Sequence, residues 1–206
     1  MSGDYSRKRF NPEKHYQGVL RQQGRVDLDA DWNEYVDLQD RRWRAETIDV
    51  VGRSGVPDET PDGFKIAVSG GELTVGQGRM YVDGYVAENH GTAPAFEPTL
   101  EEGYGTAALP VKNQPYGGPV TVPAQVRSLV YLDVWRREVT HLQAPDLIEP
   151  AVNVDSTTRY QTAWQVRVLA NIPPDITCDT PLSDIPGWPT GNRSTSPFHR
   201  YAICSP

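Results

Sequence analysis

Between residues 31 and 51 the apolar positions recur with a helical period. At about 100° per residue, Trp32, Val36, Trp43 and Val50 fall in one stripe about 40° wide, with Tyr35 at its edge. Leu38 and Ala45 form a second, weaker stripe roughly 140° away. Asp31 and Glu34 have the spacing of a capping box, in which each side chain satisfies an unpaired backbone N–H. Asp27, Asp29 and Asp31 place negative charge where the helix dipole favours it. Asp37–Arg41 and Asp40–Arg44 are i,i+4 pairs in the favourable order, and Gly52 stops the run. The pattern predicts a helix of about twenty residues opening at Asp31. Its two-Trp face needs a large partner surface, either its own sheet or another chain.

The period then changes to two. Residues 64–68 and 72–75 alternate around Gly70-Gly71, and Gly76-Gln77-Gly78 turns again. Residues 79–82 and 85–87 flank Asp83-Gly84, a two-residue hairpin signal; a continuous strand bulged at Gly84 is the alternative. Residues 128–135 read as a strand, Arg136-Arg137 as a turn and residues 138–142 as the return strand. Residues 161–169 alternate most cleanly, and Trp135 and Trp164 are candidates to cap the core against the long helix. The stretch 88–127 is rich in Pro and Gly and predicts a long excursion with one short strand near residues 107–111. Ahead of the helix, Asn11-Pro12-Glu13 reads as a short helix start with Asn11 as cap, and Gly24 as a turn.

The expected fold is therefore α+β and mostly β. One long N-terminal amphipathic helix packs on an antiparallel sheet or small barrel or sandwich. Residues 1–28 form an extended arm with a short helix, residues 29–170 a helix-plus-β domain with the insertion 88–127, and residues 171–206 a Pro-rich, non-periodic tail.

Composition adds to this picture. The 206 residues carry 37% hydrophobic and 23% charged side chains, enough for a real core, and 18 each of Gly and Pro, which point to many turns. A net charge of −7 argues against a nucleic-acid binder. The cations Arg7, Lys8, Arg9, Lys14, Arg21 and Arg25 bunch in the leader, which reads as a solvated stretch or as an arm for an acidic partner. Residues 1–20 lack the apolar region of a signal peptide, and no apolar run approaches the ~20 residues of a membrane helix. Synthesis in the cytoplasm without direct membrane insertion is the expectation. Cys178 and Cys204 allow one disulfide but no framework.

Chemical motifs are sparse. Asp27, Asp29 and Asp31 have calcium-loop spacing, but Trp32 stands where that loop needs Gly and Leu38 where it needs Glu, so helix capping explains them better. His15, His90, His141 and His199 have no metal-ligand spacing with one another or with the cysteines. No nucleophile elbow or phosphate loop is present. Neither a metal nor a cofactor is expected.

Several segments, taken together, carry a resemblance. They are Gly3-Asp-Tyr-Ser-Arg7, Phe10-Asn-Pro-Glu-Lys-His-Tyr16, the run Val19 to Glu34, Gly78-Arg-Met-Tyr-Val-Asp-Gly84, Val130-Tyr-Leu-Asp-Val-Trp135 and Ala163-Trp-Gln-Val166. In that order they resemble an uncharacterised family that looks like a component of phage-tail-like contractile injection systems, similar to baseplate- or tail-fibre-associated proteins. The resemblance implies a structural role without enzyme activity. Its implied partners are other particle subunits (baseplate, spike or fibre proteins), with the chain itself a homo-oligomer. The implied location is a particle assembled in the cytoplasm and then released or membrane-associated. Candidate contacts are Arg7, Phe10, His15, Tyr16 and Arg25 in the arm and Trp32, Val36 and Trp43 on the helix, with intrachain packing or capping as the competing reading for each. A carbohydrate-binding or cell-surface adhesion module is the second reading, and a hydrolase with unrecognised acids the third.

Overall fold

The computed structural model describes residues 3–69, 72–92, 107–120, 123, 126–177, 180–189 and 198–202, with side chains left out at residues 69 and 198–202. The fold is α+β and mostly β. Among the described residues one α-helix, α1 (Asp29–Val51), precedes eleven strands: β1 (Ser54–Gly55), β2 (Ile66–Ser69), β3 (Glu72–Val75), β4 (Gly78–Val82), β5 (Tyr85–Asn89), β6 (Leu109–Pro110), β7 (Ser128–Val139), β8 (Ile148–Glu149), β9 (Val154–Asp155), β10 (Arg159–Ala170) and β11 (Phe198–Ala202). The described strands form antiparallel sheets in the orders β1-β4-β5, β2-β3-β6 and β10-β7-β11, with β8-β9 as a separate pair, and none closes into a barrel.

Two compact units are present. The first combines Met1–Gly52 with Arg137–Gln161; the second combines Arg53–Arg136 with Thr162–Pro206. They cut across the three segments expected from the sequence, because the last residues of β7 and the first of β10 group with the arm and α1.

The core of the second unit follows the alternation rule. In β4, Gly78, Met80 and Val82 are buried while Arg79 and Tyr81 are half-buried. Asp83 and Gly84 both take positive φ (48° and 79°), as a tight hairpin turn requires, so β4 and β5 pair as two strands and not as one bulged strand. The short strand expected near residue 109 is β6, paired with β3. Met80, Val82 and Ala87 meet Phe64, Val75 and Val111, and Leu132, Val134, Trp164 and Val166 of the two long strands complete the cluster. Trp164 lies edge-on to Phe64 with centroids 5.0 Å apart, and its indole N–H donates to the Glu88 carbonyl at 2.6 Å. The other candidate cap, Trp135, is only half-buried and meets Tyr116.

Three expectations are corrected here. First, β7 is one strand through Val139, so Arg136-Arg137 makes no turn. The pair is half-buried inside the strand, and charge alone does not break a strand whose ladder continues. Second, the Pro-rich, non-periodic segment after Ala170, expected as a tail, packs within the second unit where it is described. Ile172, Ile176 and Ile185 form a second cluster with Leu129, Leu169 and Trp188, and the Tyr131 and Trp188 rings meet at a tilt of 54° with centroids 5.1 Å apart. The Arg127 guanidinium donates to the Pro173 and Ile176 carbonyls, and β11 pairs with β7. This explains why Tyr131–Val134 and Ala163–Val166 are buried on both strand faces. Isoleucines spaced by prolines have no period, so the cluster has no pattern to read.

The third correction concerns α1. It opens at Asp29, with Leu28 in the cap position and no side-chain cap, so Asp31 and Glu34 do not form a capping box. More consequentially, the residues it buries are Ala30 and Leu38, on the side roughly opposite the Trp stripe. Trp32 and Trp43 keep 62% and 65% of their surface exposed, and Val50 keeps 80%. Leu38, from the weaker stripe, turns inward, whereas Ala45 is exposed. Gly52 ends the helix as expected, at φ 93°.

Buried amide and carboxylate side chains of the second unit have partners, whereas the Arg79 Nε is buried without one among the described residues. The Gln114 amide both accepts from the Val166 N–H (2.8 Å) and donates to the Val166 carbonyl (3.3 Å), so one side chain does for β10 what a neighbouring strand would do. The Asn89 amide donates to the Val75 and Gly76 carbonyls, and the buried Asp133 carboxylate pairs with Arg167 at 2.9 Å.

Candidate partner-binding surface

The first unit is built from the arm. Its opening is tied to the strand ends: the Gly3 N–H donates to Glu138 Oε1 at 2.6 Å, the Tyr5 hydroxyl donates to the same oxygen, and Tyr5 and Thr158 hydroxyls lie 2.5 Å apart. Burial pushes the Glu138 carboxyl up. The hydrogen bonds from Tyr5, Gly3 and Thr158, with Lys8 nearby, outweigh it and set the group below its ordinary range. Burial, then the hydrogen bond to Glu138, raises the Tyr5 phenol.

A second tie reaches α1. Ser6 gives both its backbone N–H (2.8 Å) and its hydroxyl (2.6 Å) to Asp29, and these bonds lower the Asp29 carboxyl. Arg9 pairs with Asp31, and Arg21 with Asp27 at 3.1 Å. All three aspartates of the calcium-like spacing are therefore engaged by the arm, and among the described residues no cluster of three potential metal ligands occurs. Between these ties the chain makes the expected short turn, Pro12–Lys14, with the Asn11 side chain accepting from the Glu13 N–H at 2.9 Å. It then runs without regular structure to the Gly24 turn (φ 69°) and into α1.

Where residues 19–28 approach the first turns of α1 they leave an open groove of about 920 Å³. Val19, Leu20, Val26 and Leu28 line one part, Trp32 and Tyr35 the helix side, and the polar lining is Arg9, Arg21 and Arg25 together with Gln22, Asp27 and Asp31. A smaller hollow of about 250 Å³ between Tyr5, Lys8, Val36, Thr158 and Tyr160 shares Trp32 and Arg9 with it. Trp32 and Tyr35 have ring centroids 6.1 Å apart at an interplanar angle of 43°, which is not the common plane of a sugar-stacking platform.

The eight residues proposed from the sequence divide accordingly. Arg25 and Trp32 come together in the groove, and Trp32 and Val36 in the hollow. Arg7, His15 and Tyr16 are exposed and Phe10 half-buried, and none of them lines either space. Lys14 sits 5.8 Å from the Tyr16 ring. Trp43 lies on the same exposed stripe as Trp32, about 16 Å further along α1 at 1.5 Å per residue. Sequence reasoning missed Tyr5, Ser6, Arg9, Leu20 and Glu138. The available signal was the run of aspartates before α1, which announces hydrogen-bond acceptors but not which donors will reach them.

Hydrogen bonds thus tie the arm to Glu138 and to the start of α1, while the aromatic stripe of α1 stands exposed. No curated protein and no solved structure matches the chain. Residues 1–183 match the family model DUF6519, which describes a family of unknown function, and because that match takes in most of the 206 residues the chain belongs to this family.

Proposed function

We propose that the chain is a non-catalytic attachment protein of a phage-tail-like contractile injection particle, docking at the baseplate or spike periphery or anchoring a fibre there. The observation that carries this reading is the aromatic stripe of α1 standing in solvent. Trp32, Tyr35, Trp43 and Val50 follow one another along some five turns of helix, each 40% exposed or more. Covering such side chains releases on the order of 2–3 kcal/mol each, and large aromatic residues in the centre of a patch are what docking surfaces are made of. The occupant of this face is an apolar surface of another particle subunit. The resemblance of the opening segments to the injection-system family supports that choice, and the arm's ties at Tyr5, Ser6 and Arg9 hold α1 in place before any partner arrives.

Gradient-purified contractile particles from cells that make this chain provide the test. The chain is expected in the particle fraction by mass spectrometry. Trp43→Glu, which alters a solvent-facing side chain, is expected to stay folded by circular dichroism and to move to the non-particulate fraction. A chain missing from purified particles, or particle association unaltered by Trp43→Glu, overturns the reading.

A further inference from the structure

We infer that the groove between residues 19–28 and α1 binds an extended peptide segment in which apolar residues alternate with carboxylates. This goes beyond the attachment role, on which it rests only for the source of the partner.

Three observations converge on that chemistry. The first is the backbone. From Tyr16 to Arg21 no N–H or C=O group makes a hydrogen bond among the described residues, although no residue in the stretch takes a left-handed φ. A run of main chain with unpaired donors and acceptors, held at both ends by Asn11–Lys14 and by the Arg21–Asp27 ion pair, is a template for another main chain. A small molecule would satisfy one or two of those groups. Of this run Val19, Leu20 and Arg21 line the groove, and a peptide main chain laid along them pairs with alternate groups.

The second observation is the groove's apolar lining. Leu20 is 91% exposed and Val26 83%, facing the same space as Trp32 and Tyr35. These provide seats for alternate side chains of a strand laid on the open backbone, as main-chain pairing with side-chain pockets requires. The third is charge. Up to Leu28 the arm holds six Lys or Arg against three acids, Asp4, Glu13 and Asp27, in a chain of net charge −7. Arg9 and Arg21 already have carboxylate partners, but Arg25, on the rim of the groove, has none among the described residues. Asp27 and Asp31, which also line the groove, are paired with Arg21 and Arg9, so a carboxylate entering it is met by the Arg25 guanidinium.

Random dodecapeptides displayed on phage and panned on the full-length chain test the inference. Enriched peptides are expected to alternate apolar residues with Asp or Glu. Arg25→Glu and Trp32→Ala are each expected to weaken a synthetic enriched peptide at least fivefold by fluorescence anisotropy, while Trp43→Ala leaves it unchanged. Methylating alternate peptide nitrogens is expected to cost at least tenfold, which a purely side-chain contact would not. Failure to enrich any peptide, a basic consensus, indifference to Arg25 and Trp32, or indifference to N-methylation overturns the inference. Self-association that depends on Trp32 and excludes the peptides would also overturn it, by placing a second copy in the groove. Because peptide binding needs no particle, its failure and the chain's absence from purified particles are separate results.

Discussion

Trp164 and Trp43 are the same side chain on two regular elements, and they have opposite fates. Trp164 on β10 is 3% exposed, ringed by Phe64, Val134 and Val166, with its indole N–H donating to a carbonyl. Trp43 on α1 is 65% exposed. The second unit closes on itself: its apolar faces are covered on both sides of β7 and β10, and its buried amides are paired. The first unit is held by polar ties instead, and its helix buries little beyond Ala30 and Leu38. A region stabilised by hydrogen bonds at its ends can afford to leave an aromatic face in water, whereas a sheet core cannot. The buried core and the exposed aromatic face thus belong to different units of the chain.

The sharpest way to break this comparison is at Trp164. Trp164→Ala removes a buried aromatic from the centre of the core and is expected to cost about 3–5 kcal/mol in urea-induced unfolding. A cost near zero would mean that the core is not where the stability lies. Gln114→Ala comes next. It leaves the buried Val166 N–H and carbonyl without partners, at about 2 kcal/mol, and shifts the urea midpoint without touching the arm. An unchanged midpoint would mean that water replaces the amide and that β10 does not need its side-chain neighbour.

The smallest expected effect sharpens the other side of the comparison. Glu138→Ala is expected to release residues 3–5 at a cost of about 1 kcal/mol, since the site is partly solvated and Ser6 and Arg9 keep their own ties to α1. The wild-type arm has a pH dependence of definite sign. The Glu138 carboxyl is depressed in the folded state, so its contribution is complete above the ordinary carboxylate range near ~4.3 and is lost as pH falls through the folded value. Asp29 acts in the same direction. Tyr5 is raised, so its contribution holds below about 10 and is lost as pH rises through the folded value. Amide exchange of residues 3–9, corrected for intrinsic rates, is therefore expected to be slow and level around neutrality and to speed up in acid. In Glu138→Ala the acid step should shrink. Equal exchange in wild type and variant at every pH would refute the Glu138 tie.

Much of the outline was legible. Period and punctuation identified α1 to within two residues of its start, the Asp83-Gly84 hairpin, the β6 segment, most of β7 and all but the ends of β10. The Asn11 cap and the Gly24 turn were equally readable, because each depends on the chemistry of one residue. Legibility failed where contacts are non-local. Arg136-Arg137 looked like a turn because charged pairs usually sit in one, yet the ladder of β7 carries through them. The isoleucines after Ala170 have no period because they do not share an element; the sheet face they cover supplies their order. Cys178 and Cys204 lie outside the described residues, as do Gly70-Gly71 and much of the Pro-rich stretch after residue 92.

The candidate surface shows the same division. Sequence alone determined that α1 carries an aromatic stripe, that aspartates gather at its start and that cations gather in the arm. Only the tertiary structure decided which side of α1 is buried, because periodicity sorts residues onto faces without saying which face meets the core. It decided, too, that Ser6 and Arg9 spend the aspartates on tying down the arm, and that Tyr5 reaches Glu138 more than 130 residues away. A helical period is written in near neighbours along the chain. The partner of a face is chosen by the free energy of everything else that must be covered at the same time.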